Sequence, residues 1–305
     1  MLHPLCGGGD TLRERAMSAD FVIVQGLNGV AYGLLLFLLA AGLSLIFGMM
    51  DVVNLAHGSF FMLGAYIGYA ASRASHSFWL ALLIAPIAIG LLGIAIEVGL
   101  LKRLYRRPLL DQVILTFGLS FMIAELVKIV WGTNELVLQP PDIFSGSITV
   151  LGNPYPTYRL FVIGISLLIA LALLIVERRT RLGAIIRAGV VDRQMVAALG
   201  VNIGAVFTGV FAFGAALAAF GGVVAGPVLS LFPGIDAQVL ITALIVVVVG
   251  GMGTLTGAFW GGLLIGIAVT FLTVLLPAVA LVLTFVVMGA ILLVRPNGLF
   301  GMKLH

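Results

Sequence analysis

Long apolar stretches, separated by short polar segments, make up most of the chain. No charged side chain occurs in residues 21–50, 194–235 or 237–294, and each run is longer than the roughly 20 residues that cross a bilayer as a helix. The apolar windows predict an all-α, polytopic bundle of transmembrane helices with eight or nine membrane segments. The predicted segments are 21–48, 54–71, 78–101, 112–131, 158–176, 206–226, 238–252, 256–276 and 278–294.

Composition excludes other classes of protein. Hydrophobic residues make up 62% of the 305 residues and charged residues only 9%, whereas roughly a quarter of an ordinary globular chain is charged. Cys6 is the only cysteine, which excludes a disulfide framework and a multi-cysteine metal site, and we expect no metal site. Residues 1–20 carry charges but no apolar run, so we expect a solvated N-terminal tail, with residues 21–305 forming the transmembrane domain.

Basic residues are concentrated in two connecting segments. Lysines and arginines cluster in residues 102–107 and 178–193, whereas residues 132–158 contain two acidic side chains and neither lysine nor arginine. Cytoplasmic loops are rich in lysine and arginine. The connections at residues 102–107 and 178–193 are therefore predicted to face the cytoplasm, and the connection at residues 132–158 is predicted to face outward. Arg295 and Lys303 place the C-terminus inside, and the count of segments places the N-terminus outside.

The polar group at the start of the second segment is the first candidate site. Asn54, His57 and Gly58 interrupt the apolar pattern, and such residues are tolerated at membrane depth where they are buried in protein or line a wet path. One interpretation is that they line a translocation pathway. The alternative is that Asn54 caps the helix and His57 forms a hydrogen bond to a neighbouring helix. Both interpretations stay open at this point.

Glycine is abundant and recurs at a spacing of four residues. The chain has 39 glycines, and pairs such as Gly29 with Gly33 and Gly64 with Gly68 lie on one helix face, where they allow helix backbones to approach closely. We therefore predict a tightly packed bundle. The seventh segment is short and runs into a denser glycine cluster, where we expect a broken or re-entrant helix with backbone groups free to line the pathway. The candidate residues there are Gly250, Gly251, Gly253, Thr254 and Gly257.

Few charges lie within the apolar segments. Glu125 and Lys128 are three residues apart, so they share a helix face and are predicted to form an ion pair. A proton or ion relay through this pair is the alternative hypothesis. Glu97 lies close in sequence to the basic residues 102–107, and we expect it to pair with that cluster at the membrane interface.

The connection formed by residues 177–204, which we call the coupling segment, is too long for a simple link between helices of a compact bundle. Apolar Val191, Met195 and Leu199 recur four residues apart, while charged residues fall elsewhere on the turn. This spacing predicts one short amphipathic helix on the cytoplasmic side. Such a helix binds lipid headgroups or docks into a partner protein, and its composition favours neither.

Motifs of several enzyme classes are missing from the sequence. It has no phosphate-binding G-x-x-x-x-G-K-[ST], no H-E-x-x-H and no G-x-S-x-G, so we expect a transport subunit rather than an enzyme. Ion-coupled carriers use intramembrane carboxylates or histidines, and here only Glu125 and His57 are candidates. The energy for transport is therefore predicted to come from another source. An ion-coupled carrier or a channel is the alternative class.

Several motifs together resemble those of the permeases of branched-chain amino acid ABC importers, in particular the shorter of that family's two paired membrane subunits. The resemblance covers essentially the whole chain after residues 1–20. Glu125 departs from it, because family members usually carry an uncharged residue there. The matching motifs are Leu27-Asn28-Gly29, Asn54-Leu55-Ala56-His57-Gly58, Gly64-Ala65-Tyr66, Arg107-Pro108-Leu109, Thr116-Phe117-Gly118-Leu119-Ser120, Thr180-Arg181-Leu182-Gly183, Ala198-Leu199-Gly200-Val201-Asn202, Gly250-Gly251-Met252-Gly253 and Arg295-Pro296-Asn297-Gly298-Leu299.

The resemblance implies a division of labour at the bacterial cytoplasmic membrane. It implies a second, longer permease subunit, two cytoplasmic ATPases that use ATP, and an extracytoplasmic substrate-binding protein. This chain is then expected to contact membrane lipid and to bind neither a cofactor nor nucleic acid. By the same analogy, the coupling segment docks on an ATPase rather than on lipid. The residues implied in docking are Arg181, Gly183, Arg187, Val191, Asp192, Met195, Leu199 and Gly200.

Branched-chain amino acids are the substrates that the resemblance implies, with urea or short amides as the alternative within the family. An amino acid zwitterion needs partners for both of its charges. Because the apolar segments hold few fixed charges, we expect backbone groups and helix ends near Asn54, Gly58 and Gly253 to provide those partners.

Overall fold

A single long helix forms the axis of the bundle. The structure is a computed structural model and describes residues 19–105, 107–150 and 152–301. The axial helix, α1, comprises the 32 residues Ala19–Met50 and is about 48 Å long, more than the roughly 30 Å of a bilayer's hydrocarbon core. Residues 33–44 of α1 are all buried, so other helices surround its middle. The predicted N-terminal tail lies outside the described residues except for its last two, which begin α1.

Each of the nine predicted segments corresponds to a helix among the described residues, which confirms the all-α fold class. A hairpin that was not predicted lies just before α5, with β1 (Ser147–Val150) antiparallel to β2 (Asn153–Pro156). The helices after α1 are α2 (His57–Ser75), α3 (Phe78–Gly99), α4 (Leu109–Trp131), α5 (Thr157–Arg179), α6 (Arg181–Val191), α7 (Arg193–Ala198), α8 (Ile203–Ala225), α9 (Ile235–Gly250), α10 (Leu255–Leu275) and α11 (Ala280–Val294).

Small residues bring the helix backbones together, as predicted. A methyl group added at Gly33 of α1 would lie 2.6 Å from the carbonyl oxygen of Gly262 in α10. One added at Gly64 of α2 would lie 2.4 Å from the Cα of Ala219 in α8. Both distances are shorter than carbon contacts in packed proteins, so only glycine permits these approaches. The prediction of a tightly packed bundle is confirmed.

Helix α2 is enclosed by protein rather than by lipid. Among the described residues, seven helices are long and apolar enough to cross a membrane, and α2 is not one of them. Residues 57–66 are all buried, and the helix packs against α3, α8 and α9. Because the part of a helix that faces only protein needs no apolar surface for lipid, residues 57–66 of α2 accommodate histidine, serine and tyrosine. It begins at His57, later than predicted, because residues 51–56 are not helical.

The glycine-rich stretch is a connection between two helices rather than a break within one. Helix α9 ends at Gly250 and α10 begins at Leu255. Gly251 and Gly253 have φ angles of 107° and 81°, a region that other residues rarely adopt. The tight turn therefore depends on glycine at these two positions.

The prediction of one amphipathic helix in the coupling segment is wrong, because the segment forms two helices. Asp192 separates α6 from α7 with φ −150° and ψ 100°, which is extended backbone. Its carboxylate accepts hydrogen bonds from the backbone N–H groups of Gln194 and Met195. An aspartate that caps a new helix in this way is more stable outside the helix than within it.

The bundle has two ends with different charge. The basic face is the end at which α1, α3, α5 and α11 finish, and it carries Lys102, Arg178 and Arg295. There the side chain of Met49, at the end of α1, lies against Gly189 of α6. The opposite face is the end at which α2, α4, α8 and α10 finish, and the hairpin lies on this side.

Candidate functional site

The non-helical residues 51–56 lead into α2 and are held by side chains. The Thr116 hydroxyl of α4 accepts a hydrogen bond from the backbone N–H of Leu55 at 3.2 Å. Asn54 is buried, and its side-chain oxygen accepts from the N–H of Ala56 at 3.1 Å. Asn54 therefore closes a turn before the helix and does not cap α2 directly, since the cap position is Ala56. Irregular backbone among membrane helices is tolerated here because protein covers it.

His57 and Gly58 face neighbouring helices. The Nε2 of His57 lies 3.0 Å from the carbonyl oxygen of Leu39 in α1, and because a carbonyl only accepts, Nε2 donates. A methyl group at Gly58 would lie 2.3 Å from the carbonyl oxygen of Asp236 in α9. His57 thus makes the interhelical hydrogen bond of the packing alternative, while a role of Asn54, His57 and Gly58 in a pathway stays a prediction.

Residues 250–257, which we call the glycine junction, hold α9, α10 and α1 together. A methyl group at Gly250 would lie 2.1 Å from the carbonyl oxygen of Gly257. The Thr254 hydroxyl accepts from the N–H of Gly257 and donates to the carbonyl of Gly251. The Ser44 hydroxyl of α1 donates to the carbonyl of Thr254 at 3.2 Å. The junction is a dense structural contact at the basic face.

The chain after α11 folds back onto the glycine junction. The N–H of Leu299 donates to the carbonyl of Val249 at 2.8 Å, and that of Phe300 donates to Gly250 at 2.9 Å. These bonds satisfy carbonyl groups at the end of α9 that have no partner within the helix. The predicted free backbone groups at Gly250 are therefore occupied.

The coupling segment presents an apolar patch at the basic face. Val191, Met195 and Leu199 are 78%, 60% and 77% exposed. Arg181, Arg187 and Asp192 are also exposed, and Gly200, with φ 83°, ends the segment's second helix. Gly183 is buried instead, because a methyl group there would lie 2.2 Å from the carbonyl oxygen of Glu177. None of the described residues covers these three apolar side chains.

One arginine fixes the coupling segment to the bundle. Arg193, at the start of α7, forms an ion pair with Asp51, the first residue after α1. Its guanidinium also lies 6.0 Å from the centre of the Phe207 ring in α8, within the range of a cation–π contact. Arg193 therefore links α7 to the residue that follows α1 and to α8.

A cavity of about 520 Å³ opens at the opposite face, and we call it the opposite cavity. It lies among α1, α5, α9 and α10 and the connection after α8. The guanidinium of Arg159, in the first turn of α5, donates to the side-chain oxygen of Asn28 in α1. The amide nitrogen of Asn28 in turn donates to Gln25 at 3.2 Å. The other polar side chains on the wall are Tyr32, Gln238, Thr270 and Thr273.

Sequence reasoning did not select Arg159 or the other polar residues of this wall. Asn28 was noted only as part of the motif Leu27-Asn28-Gly29. Arg159 is a single arginine directly after a long segment without basic residues, and it falls at the start of an apolar segment rather than in a loop. That isolated position was the available signal.

The buried carboxylates have partners that the sequence did not identify. Glu97 is fully buried, and it accepts hydrogen bonds of 2.6 Å from the hydroxyl groups of Tyr105 and Thr208. Among the described residues, it forms no ion pair with Lys102, Arg103 or Arg107, contrary to the expectation of a pairing with that cluster. Burial and the bond to Glu97 raise the pKa of the Tyr105 phenol. Asp236, which was not selected, accepts from the Ser59 hydroxyl at 2.9 Å.

The pair of Glu125 and Lys128 forms as predicted. The Lys128 ammonium lies 2.6 Å from a Glu125 carboxylate oxygen, and both side chains are exposed. The pair therefore lies on the outside of α4, away from the opposite cavity. Among the residues that the structure describes, no three His, Cys, Asp or Glu side chains are grouped as a metal site would require.

The chain is similar to known transport proteins over almost its whole length. A family model described as the permease component of branched-chain amino acid transport systems matches residues 26–294. The high-affinity branched-chain amino acid transport system permease protein LivH of Escherichia coli (strain K12) is 30% identical over 305 residues, which cover 93% of this chain and 98% of that protein.

Two further relatives extend the comparison. The corresponding permease protein BraD of Pseudomonas aeruginosa is 28% identical over 291 residues, which cover 91% of this chain and 95% of BraD. The probable branched-chain amino acid transport permease protein LivH of Methanocaldococcus jannaschii is 24% identical, with 92% of each chain covered. No solved structure gives a significant match. The matched region includes the opposite cavity, the glycine junction and the coupling segment.

Proposed function

The chain belongs to the family of permease components of branched-chain amino acid transport systems, and on this premise we propose that it imports branched-chain amino acids as a membrane subunit of an ABC importer in the bacterial cytoplasmic membrane. Its partners are a second permease, two cytoplasmic ATPases and an extracytoplasmic substrate-binding protein. The chain itself supplies half of the pathway and binds no nucleotide.

The charge distribution orients the molecule for import. Lysine and arginine are enriched in cytoplasmic loops, so the basic face lies in the cytoplasm and the C-terminus with it. The opposite face then lies outside, where the substrate-binding protein releases its ligand. The opposite cavity is thus open to solute on that side of the membrane.

The exposed apolar patch of the coupling segment carries the proposal. An exposed apolar patch with a charged rim is typical of a protein interface. Val191, Met195 and Leu199 are exposed apolar residues of the coupling segment, and Arg187 and Asp192 are exposed charged residues of the same segment. Exposed apolar side chains of this kind fill a groove in the partner, and the charges near them set the register. An ATPase on the cytoplasmic side provides the groove.

The contacts of Arg193 connect this docking site to the helices. When the ATPases close on ATP, they displace the coupling segment. The ion pair with Asp51 and the contact of Met49 with Gly189 pass this displacement to α1 and to residues 51–56. A rigid-body shift of packed helices then alternates access between the two faces.

Charge substitution of the apolar patch tests the proposal. Replacing both Val191 and Met195 with glutamate should abolish docking, because carboxylates cannot enter an apolar groove without losing hydration. In reconstituted complexes we expect at least about a tenfold loss of substrate-stimulated ATP hydrolysis and of uptake, since every 1.4 kcal/mol of lost binding weakens docking tenfold.

The matched control keeps the patch apolar. Val191→Ile with Met195→Leu preserves the side-chain character and should retain both activities. Normal ATP-driven uptake by the glutamate variant would contradict docking through this patch. Uptake by the wild-type chain without any ATPase would instead identify a channel or an ion-coupled carrier.

A further inference from the structure

The guanidinium of Arg159 is a fixed positive charge in the wall of an open cavity. No carboxylate among the described residues forms an ion pair with it. The ion pairs of these residues are Arg107 with Asp111, Lys128 with Glu125, and Arg193 with Asp51. Its recorded hydrogen-bond partner is the neutral amide of Asn28. Charged side chains inside membrane proteins are costly unless they are paired or functional.

Neither stability nor lipid contact explains this placement. A cation in the first turn of a helix opposes the helix dipole, which favours anions there. An arginine that extends towards lipid headgroups points away from the bundle, whereas Arg159 points inward to α1 and lies on the cavity wall. The bond to Asn28 holds the guanidinium in place and leaves most of its five donors free for a ligand.

We infer that the opposite cavity is a substrate site in which Arg159 binds the carboxylate of the incoming amino acid. The inference rests on the proposed import function and adds the recognition chemistry to it. Arginine suits this role because its planar guanidinium binds a carboxylate through two parallel hydrogen bonds. The Gln25–Asn28 pair positions the guanidinium, and the cavity volume of about 520 Å³ falls in the usual range for small-molecule sites.

The rest of the wall suits an aliphatic amino acid. Leu35, Val162, Val228 and Val269 supply apolar surface for the side chain, and the Gln238 and Thr270 side chains supply oxygen acceptors for the ammonium group. Urea and short amides have no carboxylate, so they cannot form the charge-assisted contact of two parallel hydrogen bonds with the guanidinium. The cavity therefore favours amino acids over the neutral solutes that remained as alternatives.

The test measures uptake by the complete transporter in proteoliposomes, with substrate-binding protein saturated with leucine. Arg159→Gln should lower leucine uptake roughly tenfold or more, as expected for the loss of a charge-assisted bidentate contact. Arg159→Lys keeps the charge but loses the bidentate geometry, so its uptake should lie between those of the wild type and of Arg159→Gln.

A second variant neutralises the arginine without removing it. Asn28→Asp is nearly isosteric and places a carboxylate against the guanidinium, where it competes with the substrate. It should lower uptake in the same direction as Arg159→Gln. This variant decides the question even if Arg159→Gln fails to assemble, because it retains the volume and the contact of the native pair.

A matched control removes an arginine from the same side of the molecule. Arg73 is exposed in the last turn of α2 and does not line the opposite cavity, so Arg73→Gln should change uptake less than twofold. Normal uptake by Asn28→Asp and by an assembled Arg159→Gln transporter would overturn the inference, as would an equal loss in Arg73→Gln. Failure of the wild-type transporter to import any branched-chain amino acid would overturn the proposed substrate itself, which is a distinguishable result.

Discussion

The opposite cavity and the glycine junction lie near the two ends of α1, and they differ in whether their polar groups are paired within the chain. At the glycine junction, backbone carbonyls and N–H groups are paired with one another, and there is no space for a methyl group at Gly250. At the opposite cavity, the charged Arg159 lies beside open volume, and its hydrogen-bond partner among the described residues is a neutral amide.

This contrast distinguishes groups that build the frame from groups that meet a ligand. Both regions contain residues that are unusual in an apolar helix, because polar groups are costly in a membrane. At the glycine junction that cost is removed by contacts within the chain. At Arg159 it is not removed, so a ligand from outside supplies the missing partner.

Alanine at Gly250 should break the frame and have the largest effect. The added methyl carbon meets the carbonyl oxygen of Gly257 at 2.1 Å and its carbonyl carbon at 2.4 Å. Helices α9 and α10 must then separate, and overpacking costs about 1–3 kcal/mol. We expect a lower melting temperature and loss of a monodisperse peak in size-exclusion chromatography after detergent extraction.

Two controls test whether the loss of stability in Gly250→Ala is specific to the glycine junction. Gly118→Ala lies in α4 with nothing within 4 Å of the added carbon, so it should keep or slightly raise stability, because alanine favours a helix over glycine by about 1 kcal/mol. Arg159→Gln, at the other end of α1, should lower uptake with little change in melting temperature. Equal melting of Gly250→Ala and Gly118→Ala would show that the glycine junction is not a tight contact.

The transmembrane framework was predictable because lipid imposes a simple rule on sequence. Every lipid-facing helix needs about 20 apolar residues, and apolar windows found the seven described helices that can cross a membrane as well as α2 and α9. The start of α2 was predicted less accurately, because residues such as Asn54 and Ala56 also occur at the ends of helices. What fixes that start is the Thr116 hydroxyl on a distant helix, which local sequence does not contain.

The sites were harder to predict because pairing is a long-range property. The exposed patch of Val191, Met195 and Leu199 was found from spacing, although the break at Asp192 was missed because its capping bonds compete with the apolar period. Arg159 and Asn28 are more than 100 residues apart in the chain. Only the packing of α5 against α1 brings them together at one cavity.

A second experiment asks whether His57 is a structural residue, like those of the glycine junction, or a residue that contacts the substrate, as we infer for Arg159. Its ring is buried, and Nε2 bonds the Leu39 carbonyl, so the geometry resembles the glycine junction more than the opposite cavity. His57→Ala leaves that carbonyl without a donor and opens a void, at a cost of about 2 kcal/mol. We expect a lower melting temperature but near-normal uptake per folded transporter.

His57→Gln provides the matched rescue, because its amide can donate to the same carbonyl. It should recover part of the lost stability. The pathway interpretation predicts the reverse pattern, with near-normal melting and a severe loss of uptake in His57→Ala. Measuring melting temperature and uptake on the same preparation distinguishes the two.

Glu125→Gln should have the smallest effect, because this carboxylate belongs neither to the glycine junction nor to the opposite cavity. Glu125 is paired with Lys128 at 2.6 Å, but both side chains are exposed on the outside of α4, where an ion pair contributes about 0–1 kcal/mol. The lysine lies in the last turn of α4, so without its partner it can extend to the polar interface. A relay role requires uptake to depend on this carboxylate, and it requires uptake to respond to a proton gradient. We expect neither in proteoliposomes, and a loss of uptake in Glu125→Gln comparable to that in Arg159→Gln would place the transported charge on α4 instead of in the cavity.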